Sequence, residues 1–411
     1  MDARHWSRFA PYPVALGVAG TVVGMVLSPA VLSIGVIVTV AAALLLYPGS
    51  LPGFVRRGWP RGTLFWGLTG LYLLLLAGSW QTYDWPYYLE RLRIKLPLLM
   101  LPLAWAADPF SPLDAATQRR WARFARLALL GFVAAVLAGV LMNYALHFSE
   151  INVRIGQGQA VPVPRGNHVR FSLLVAICAV IGADGWLRDR SRGCLLLGLF
   201  LLAGLHLLAV RTGLVTAYVG VVVVAGGHAL AMRRYRLLLG AAVAVAALPV
   251  AAYLLLPSFR TKMQYTRFEV MHRGVGGTSD GYSDAGRFTS IRLGMDVWRE
   301  RPWVGVGPGN LLQAMDARYA EVLPEVQGKR PHNQFVTALA GSGLLGGVVT
   351  LACFGLIGYA DGRWRDPRYA AVFAMLLLSC LVESTLENSV GVTLFSFFLL
   401  ALAYPPYRKP G

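Results

Sequence analysis

The chain has 411 residues, of which 56% are hydrophobic and 14% are charged, and its formal net charge is +18. A soluble domain carries about 25% charged residues, so this composition excludes an ordinary soluble globular protein. Runs of about 20 apolar residues, long enough to cross the hydrocarbon core of a bilayer, recur from one end to the other. The composition therefore predicts a membrane protein of the all-α class.

Twelve apolar segments follow one another along the chain, and each predicts a transmembrane helix. They are residues 11–29, 30–48, 62–80, 94–107, 124–146, 168–187, 193–210, 211–232, 236–256, 333–360, 369–388 and 389–405. The fourth is short and contains Pro97 and Pro102, so we expect it to tilt, break or lie partly in the interface. The pattern predicts nine helices in residues 1–256 and three in residues 333–411.

The basic residues are concentrated in alternate connections between these segments. If the N-terminus is cytoplasmic, seven short stretches on that side hold 20 of the 38 Lys and Arg residues. The hairpin tips near 29–30 and 388–389, on the opposite side, hold none. This distribution follows the positive-inside rule and places both termini in the cytoplasm. The positive charge is therefore explained by membrane orientation and does not indicate nucleic-acid binding.

One long connection, residues 257–332, falls on the outer face in this topology and contains 11 Lys or Arg against 8 Asp or Glu. Two stretches in it, 289–300 and 310–322, have helical periodicity. The faces predicted to be apolar are Ile291, Met295 and Trp298 in the first stretch, and Leu311, Met315 and Tyr319 in the second. Residues 271–286 are rich in Gly, Ser and Asp and predict a flexible segment. We therefore expect a small helical cap on the outer surface.

Arg211 stands between two apolar runs in an outer turn with almost no polar linker. An arginine at the edge of a bilayer is costly unless it reaches the interface or binds an anion. A guanidinium group matches the geometry of phosphate oxygens, so Arg211 is a candidate phosphate ligand. A snorkelling arginine that contacts phospholipid is an equally good interpretation.

His332 directly precedes the tenth apolar segment and is expected at the depth of the membrane surface, facing the cap. A histidine with a pKa near 6.5 suits general acid–base chemistry, and nearby arginines would keep it neutral. A structural hydrogen bond at the interface would explain the same position. Glu383 and Glu387 lie four residues apart in the eleventh segment, so we expect them to share one helix face. They are candidates to orient His332 or an arginine, although a structural ion pair is the more common role.

The glycine-rich run GVGPGN at 305–310 lacks the G-x-G-x-x-G spacing of a dinucleotide loop. We interpret it as a tight turn that ends at Asn310, which can cap the following helix. The first outer turn contains no acid, and neither a Walker motif nor a His-x-x-x-His pair occurs. The sequence therefore gives no indication of a metal ion or a nucleotide cofactor.

Five sequence elements occur in an order that resembles the O-antigen ligase/polymerase superfamily, and the layout is most similar to the lipopolysaccharide O-antigen ligases. The elements are Arg211 in an outer turn, Gly286-Arg287, the run RPWVGVGPGN at 301–310, His332-Asn333-Gln334, and Gly343-Leu344-Leu345-Gly346. The resemblance implies a GT-C-like helical fold and a metal- and ATP-independent glycosyltransferase with no cofactor. Its active site would face the periplasm from the bacterial inner membrane.

The resemblance also implies substrates and residue roles. The donor would be O-antigen linked to undecaprenyl diphosphate, and the acceptor would be a sugar hydroxyl of lipid A–core. Arg211 and Arg287 would bind the diphosphate and stabilise it as a leaving group, and His332 would deprotonate the acceptor hydroxyl. Direct displacement by that hydroxyl predicts inversion at the anomeric carbon. Further expected substrate contacts are Arg154, Arg165, His168, Arg170, Lys329, Arg330, Asn333 and Glu383.

Three other functions remain open from the sequence. O-antigen polymerases carry two large outer loops with Arg-x10-Gly spacing, whereas this chain has one large loop. Oligosaccharyltransferases that glycosylate proteins share the His and Arg pattern. A secondary transporter would need ionisable residues or broken helices near the centre of the bilayer, and the sequence shows no convincing example.

Overall fold

The computed structural model describes residues 11–45, 62–110, 113–271 and 283–403, and every regular element in these ranges is helical, as predicted. The α-helices are α1 (Pro11–Leu27), α2 (Pro29–Leu45), α3 (Thr63–Ala77), α4 (Trp85–Lys95), α5 (Pro97–Ala106), α6 (Ala115–Leu146), α7 (Phe148–Gly156), α8 (His168–Asp189), α9 (Arg192–Leu208), α10 (Arg211–Met232), α11 (Arg236–Leu255), α12 (Pro257–Met271), α13 (Ser283–Glu300), α14 (Leu311–Val322), α15 (Gln334–Tyr359), α16 (Pro367–Val382) and α17 (Ser389–Ala403).

Within the described residues, six helical stretches are long and apolar enough to cross a membrane, so the chain is a multi-pass membrane protein. They are Thr63–Gln81, Ala115–Leu146, His168–Asp189, Arg211–Met232, Arg236–Leu255 and Gln334–Arg365. Helices α1, α2, α9, α16 and α17 are also apolar but shorter. The predicted fourth segment is the ten-residue helix α5, which begins at Pro97 and has Pro102 inside it. A total of twelve spans stays a prediction.

Helices α1 and α2 form a hairpin in which their backbones touch. A Cβ atom placed on Gly24 would lie 2.1 Å from the backbone nitrogen of Leu32, and one on Gly35 would lie 2.3 Å from the backbone nitrogen of Thr21. Small residues allow such close approach between helices in a membrane, where association depends on van der Waals packing. The glycines therefore fix the geometry of this hairpin.

Helix α8 is at the centre of the bundle, and almost every residue from Val169 to Gly185 is buried. A helix that is apolar on all sides is expected in such a position. At its C-terminal end, Asp184 is fully buried and binds three groups from three helices. They are Arg188 Nε (2.9 Å), His228 Nε2 (2.9 Å) and Arg368 Nε (3.3 Å). This network ties α8, α10 and α16 together at the end of the bundle that carries many of the clustered arginines.

The described part of residues 257–332 contains three helices, α12 to α14, which confirms the two predicted helical stretches. Leu311, Met315 and Tyr319 are buried, as expected for α14. Of the predicted apolar face of α13, Trp298 packs against the core, whereas Ile291 and Met295 were wrong, because Leu293 and Val297 are the buried residues. The reason is that α13 packs its Gly294 side against the start of α15, where the close contact with Pro331 selects the face. Of the segment predicted to be flexible, residues 272–282 lie outside the described residues.

Helix α15 is interrupted at Gly343, whose φ of +66° and ψ of −167° are accessible to glycine and strained for other residues. Backbone groups freed by such a break in a membrane helix must find other partners. The segment 302–307 supplies them. The hydrogen bonds run from Val306 N to Ala340 O (3.0 Å), from Gly307 N to Gly341 O (2.9 Å), from Leu344 N to Pro302 O (2.7 Å) and from Leu345 N to Trp303 O (3.3 Å).

The asparagine at the end of the glycine-rich run has a different role from the one predicted. Helix α14 begins after Asn310, but the side chain of Asn310 makes no capping hydrogen bond. Its Nδ2 donates to the carbonyl oxygen of Gln81 (2.6 Å), and its Oδ1 accepts from the backbone N–H of Tyr83 (2.8 Å). Asn310 therefore joins the run to the loop before α4, and the run supports α15 around its break at Gly343.

Candidate active site

His332 is held in place by the backbone at the start of α15. Its backbone N–H donates to Ser290 Oγ of α13 at 3.1 Å. The next residue, Asn333, caps α15, because its Oδ1 accepts from two backbone N–H groups in the first turn. Asn333 Nδ2 donates to the carbonyl oxygen of Leu381 at 2.8 Å. The cap and the two cross-links fix His332 between α13 and the end of α16.

The environment of His332 keeps its imidazole neutral near pH 7. Burial lowers the pKa of His332 below its usual value of 6.5. Glu383 acts to raise this pKa, whereas the positive charges of Arg287, Arg170 and Lys329 lower it. Nδ1 of His332 is buried and has no hydrogen-bond partner among the described residues. One ring nitrogen therefore keeps its hydrogen-bonding capacity for a group that enters the site.

Arg287 and Glu383 form a salt bridge across the site. Arg287 Nη2 lies 2.6 Å from Glu383 Oε1, and the Glu383 side chain is only 8% exposed. The prediction that Glu383 and Glu387 share a face of one helix was wrong. Helix α16 ends at Val382, Glu383 has extended backbone angles, and Glu387 belongs to a separate helical turn. Because the helix ends early, the two carboxylates bind different cations.

The start of α8 contributes a histidine and an arginine to this region. His168 and Arg170 both lie within electrostatic range of Glu383 and Arg287. Lys262 of α12 is within range of His168, and its Nζ donates to the carbonyl oxygen of Gly158 at 2.7 Å. The structure therefore brings together His332, Arg287, Glu383, His168 and Arg170 around one buried carboxylate.

Arg211 is the first residue of α10, at the same end of the bundle as the start of α8. The two helices touch there, because a Cβ atom on Gly213 would lie 2.6 Å from Ser172 Cβ. Ser172 follows His168 by one helical turn. The close packing of α8 and α10 thus places Arg211 on the side of the bundle where His168 and Arg170 lie.

The remaining predicted substrate contacts are more scattered. Arg154 pairs with Glu150 of its own helix at 2.5 Å, and both side chains are exposed. Arg165 is exposed, with a φ of +62°, and shares a small cleft with Arg170. Lys329 is exposed and acts on His332 through its charge. Arg330 donates to the hydroxyl of Tyr87 in α4 at 3.3 Å.

Residues 195–351 match a family model described as O-antigen ligase. The match, over less than half of the chain, supports the resemblance to the O-antigen ligase/polymerase superfamily. The comparison with curated proteins returned no match. The matched segment runs from α9 to the middle of α15 and includes Arg211, Arg287, His332 and the run at 301–310.

Other parts of the candidate site lie outside the matched segment. Glu383 comes from the connection after α16, and Arg170 comes from α8. Glu383 and Arg170 therefore lie outside the matched segment in the sequence, and the packing of the helices brings them to the site. Among the described residues, no group of three or more His, Cys, Asp or Glu side chains is arranged to hold a metal ion.

Sequence reasoning missed a set of polar residues on α4. Tyr87, Arg91 and Lys95 are spaced four apart and therefore lie on one face of the helix. The structure brings this face to Glu387. The spacing of Arg91 and Lys95 was the signal that could have identified the face.

Proposed function

We propose that this protein ligates O-antigen from undecaprenyl diphosphate onto a sugar hydroxyl of lipid A–core at the periplasmic face of the inner membrane. The observation that carries the proposal is the site around Glu383, where a neutral, half-buried His332 lies beside the Arg287–Glu383 pair. Glycosyl transfer in one step from a diphosphate donor needs two groups, a general base and an arginine that binds the anionic leaving group. The family match at residues 195–351 supports the same reaction class.

His332 acts as the general base. Its imidazole takes the proton of the acceptor hydroxyl, and the hydroxyl oxygen forms a bond to the anomeric carbon of the donor. The bond between that carbon and the phosphate oxygen breaks, and its electron pair leaves with the diphosphate. Attack from the face opposite the leaving group inverts the configuration at the anomeric carbon. A positioned general base contributes about 10²–10⁴-fold to such a rate.

Arg287 and Arg211 stabilise the negative charge that grows on the leaving diphosphate. Oriented cations in a site that excludes water are effective because they are already in place when charge develops. Before the donor binds, Glu383 neutralises Arg287 at 2.6 Å. The diphosphate replaces Glu383 as the partner of Arg287, and Glu383 is then free to stabilise the His332 imidazolium.

The two ends of the bundle support a periplasmic site. At one end, Arg126 and Arg368 form ion pairs with Asp189 and Asp184 of α8, and Arg188 of α8 forms one with Asp366; all three arginines come from connections predicted to be cytoplasmic. His332 lies at the opposite end, because α15 runs from it to the turn at Ala360–Arg365. The positive-inside rule assigns the arginine-rich end to the cytoplasm. We further propose twelve spans of a GT-C-like fold, with residues 257–332 as the periplasmic cap.

The proposal is tested by His332→Ala in a strain that lacks the wild-type protein. We expect the O-antigen ladder on lipopolysaccharide to disappear while lipid-linked polymer accumulates. His147→Ala is the matched control, because His147 is an exposed histidine at the end of α6. Single-repeat products would instead indicate a polymerase. Unglycosylated protein with an intact ladder would indicate an oligosaccharyltransferase, and absence of donor from the periplasm would indicate a transporter.

A purified assay tests the arginine mechanism separately. Wild-type protein, lipid-linked donor and lipid A–core are combined with and without EDTA. We expect the rate of transfer to be the same in both, because the two arginines stabilise the leaving group. A rate that collapses in EDTA and returns with a divalent cation contradicts this mechanism.

A further inference from the structure

Two adjacent side chains at the start of α15 tie it to the segment that carries Glu383. Asn333 Nδ2 donates to the carbonyl oxygen of Leu381, just before Glu383, at 2.8 Å. Gln334 Oε1 accepts from the backbone N–H of Leu386, just after it, at 3.0 Å. Glu383 therefore lies between two anchors, and both anchors come from the residues that directly follow the candidate base.

The second anchor is completed by a buried carboxylate. Gln334 Nε2 donates to Glu387 Oε1 at 3.0 Å, and Gln334 is only 5% exposed. Burial raises the pKa of Glu387, but the charges of Lys95 and Arg330 hold this pKa below its usual value of 4.5, so the carboxylate is ionised at neutral pH. An ionised carboxylate only accepts hydrogen bonds, whereas the backbone N–H of Leu386 only donates. The two partners therefore fix the orientation of the Gln334 amide, which can donate and accept at once.

Glu387 is itself held from the opposite side by α4. Lys95 Nζ lies 2.5 Å from Glu387 Oε1, the oxygen that also accepts from Gln334. Arg91 Nη1 donates to the backbone carbonyl oxygen of Glu387 at 3.0 Å. Helix α4 therefore braces the turn Thr385–Glu387 against the start of α15.

We propose that Gln334 and Glu387 are positioning residues that set the distance between the His332 imidazole and the Glu383 carboxylate. His332 directly precedes the two anchors on α15, and Glu383 lies between their partners on the other segment. If the second anchor is lost, the segment is held on one side only, and the carboxylate moves away from the imidazole. The consequence for the rate of transfer rests on the proposed function, whereas the consequence for the protonation of His332 does not.

The titration of His332 reports this distance. Burial and nearby cations lower the pKa of His332, and Glu383 acts to raise it. A carboxylate that has moved away raises this pKa less. Gln334→Met removes both hydrogen bonds of the amide and adds no charge, so it should lower the pKa of His332 further. The substitution leaves in place the cations that face the ring from α13, from α8 and from the connection before α15, which are Arg287, Arg170 and Lys329.

The experiment follows the modification of His332 by diethyl pyrocarbonate, which reacts with the neutral imidazole, as a function of pH. The purified full chain is used in detergent without substrates, and peptide mass spectrometry separates His332 from the other histidines. Glu383→Gln should move the midpoint to lower pH by about 1 unit. Gln334→Met should move it in the same direction by a smaller amount. Gln313→Met, at an exposed glutamine of α14, is the matched control and should leave it unchanged.

The double variant Gln334→Met/Glu383→Gln decides whether Gln334 acts through Glu383. If it does, Gln334→Met should cause no further shift once the carboxylate is absent, because residues that act together give non-additive effects. A midpoint that stays at the wild-type value in Gln334→Met would overturn the proposal. An equal shift with and without the Glu383 carboxylate would also overturn it, because Gln334 would then act on the fold and not on this distance.

Transfer assays measure the effect on the rate. An error of about 1 Å in the position of a catalytic group can cost about 10²-fold, so Gln334→Met should lower kcat by about that factor and change the KM for the donor little. Gln334→Glu keeps the shape of the side chain but sets two carboxylates against each other, and it should lose kcat similarly. Adding Glu387→Gln restores one amide and one carboxylate, so this exchange should recover most of the loss.

The exchange pair also carries the test if Gln334→Met does not fold. An exchanged variant that unfolds at the wild-type temperature but stays as slow as Gln334→Glu would contradict the proposal. Failure of the proposed function gives a different result. In that case His332→Ala transfers at the wild-type rate, while the shifts in the titration of His332 are still observed.

Discussion

The break in α15 makes Gly343→Ala the substitution with the clearest structural consequence. A Cβ atom at this position would lie 2.3 Å from the backbone carbon and oxygen of Trp303. Its backbone angles, φ +66° and ψ −167°, are also unfavourable for alanine. The segment 302–307 must therefore move away from α15, or α15 must straighten.

The size of the effect follows from two contributions. Holding a residue other than glycine in such a conformation costs about 1–3 kcal/mol. If the segment 302–307 separates from α15, the backbone hydrogen bonds from Leu344 to Pro302 and from Leu345 to Trp303 are lost. Two such hydrogen bonds contribute roughly 1–3 kcal/mol. We therefore expect a total destabilisation of roughly 2–6 kcal/mol.

The matched control is Gly355→Ala in the same helix. Gly355 has open space around its Cβ position, so this change should be neutral or stabilise by up to about 1 kcal/mol through helix propensity. Thermal unfolding of both variants in the same detergent measures the difference. Equal Tm values for Gly343→Ala, Gly355→Ala and the wild type would refute the account of the broken helix.

Three further predictions concern charges. Glu383→Gln removes the group that raises the pKa of His332, so the acid limb of the pH–rate profile should move to lower pH; a shift to higher pH would contradict this. Arg287→Gln should lower the rate of transfer by about 10²–10³-fold, whereas Arg299→Gln, an exposed arginine of the same helix, should not change it. Asp184→Asn should lower the free energy of unfolding by about 1–3 kcal/mol, because it removes a fully buried carboxylate while Arg188 and Arg368 keep Asp366 as a partner; an unchanged Tm would show that the network is dispensable.

The helices themselves could be predicted closely from the sequence. The segments 211–232 and 236–256 correspond to Arg211–Met232 and Arg236–Leu255, and 11–29 corresponds to Pro11–Leu27. The agreement has a simple physical cause. In lipid every backbone group must be satisfied within the helix, so a long apolar run has one stable conformation. Length and hydropathy are then enough to locate the helix.

Side-chain partners could not be predicted in the same way. The sequence pattern extended the eleventh segment to residue 388, and on that helix Glu383 and Glu387 would share a face. The structure ends α16 at Val382, and the two glutamates bind Arg287 and Lys95, which are 96 and 292 residues away in the chain. Apolar periodicity has no information about such distant charges.

The motif at 301–310 shows a related limit. Its glycines and Asn310 indicated a tight turn from sequence alone, and the turn is present. Its partner was not predictable, because the backbone of the segment pairs with a helix that is broken 30 to 40 residues later, at Gly343. A regular helix offers no free backbone groups, so the motif and the break depend on each other.

The position of Glu383 connects these observations to the proposed chemistry. An arginine that must hold a diphosphate is an uncompensated cation when the site is empty, and near the bilayer that state is costly. Glu383 removes this cost by pairing with Arg287, and the tie from Asn333 to Leu381 keeps the end of α16 beside His332. When the diphosphate of the donor binds Arg287, the Glu383 carboxylate stays next to the His332 imidazole, which must gain a proton. One side chain outside the matched segment can thus stabilise the empty site and assist the base once the donor is bound.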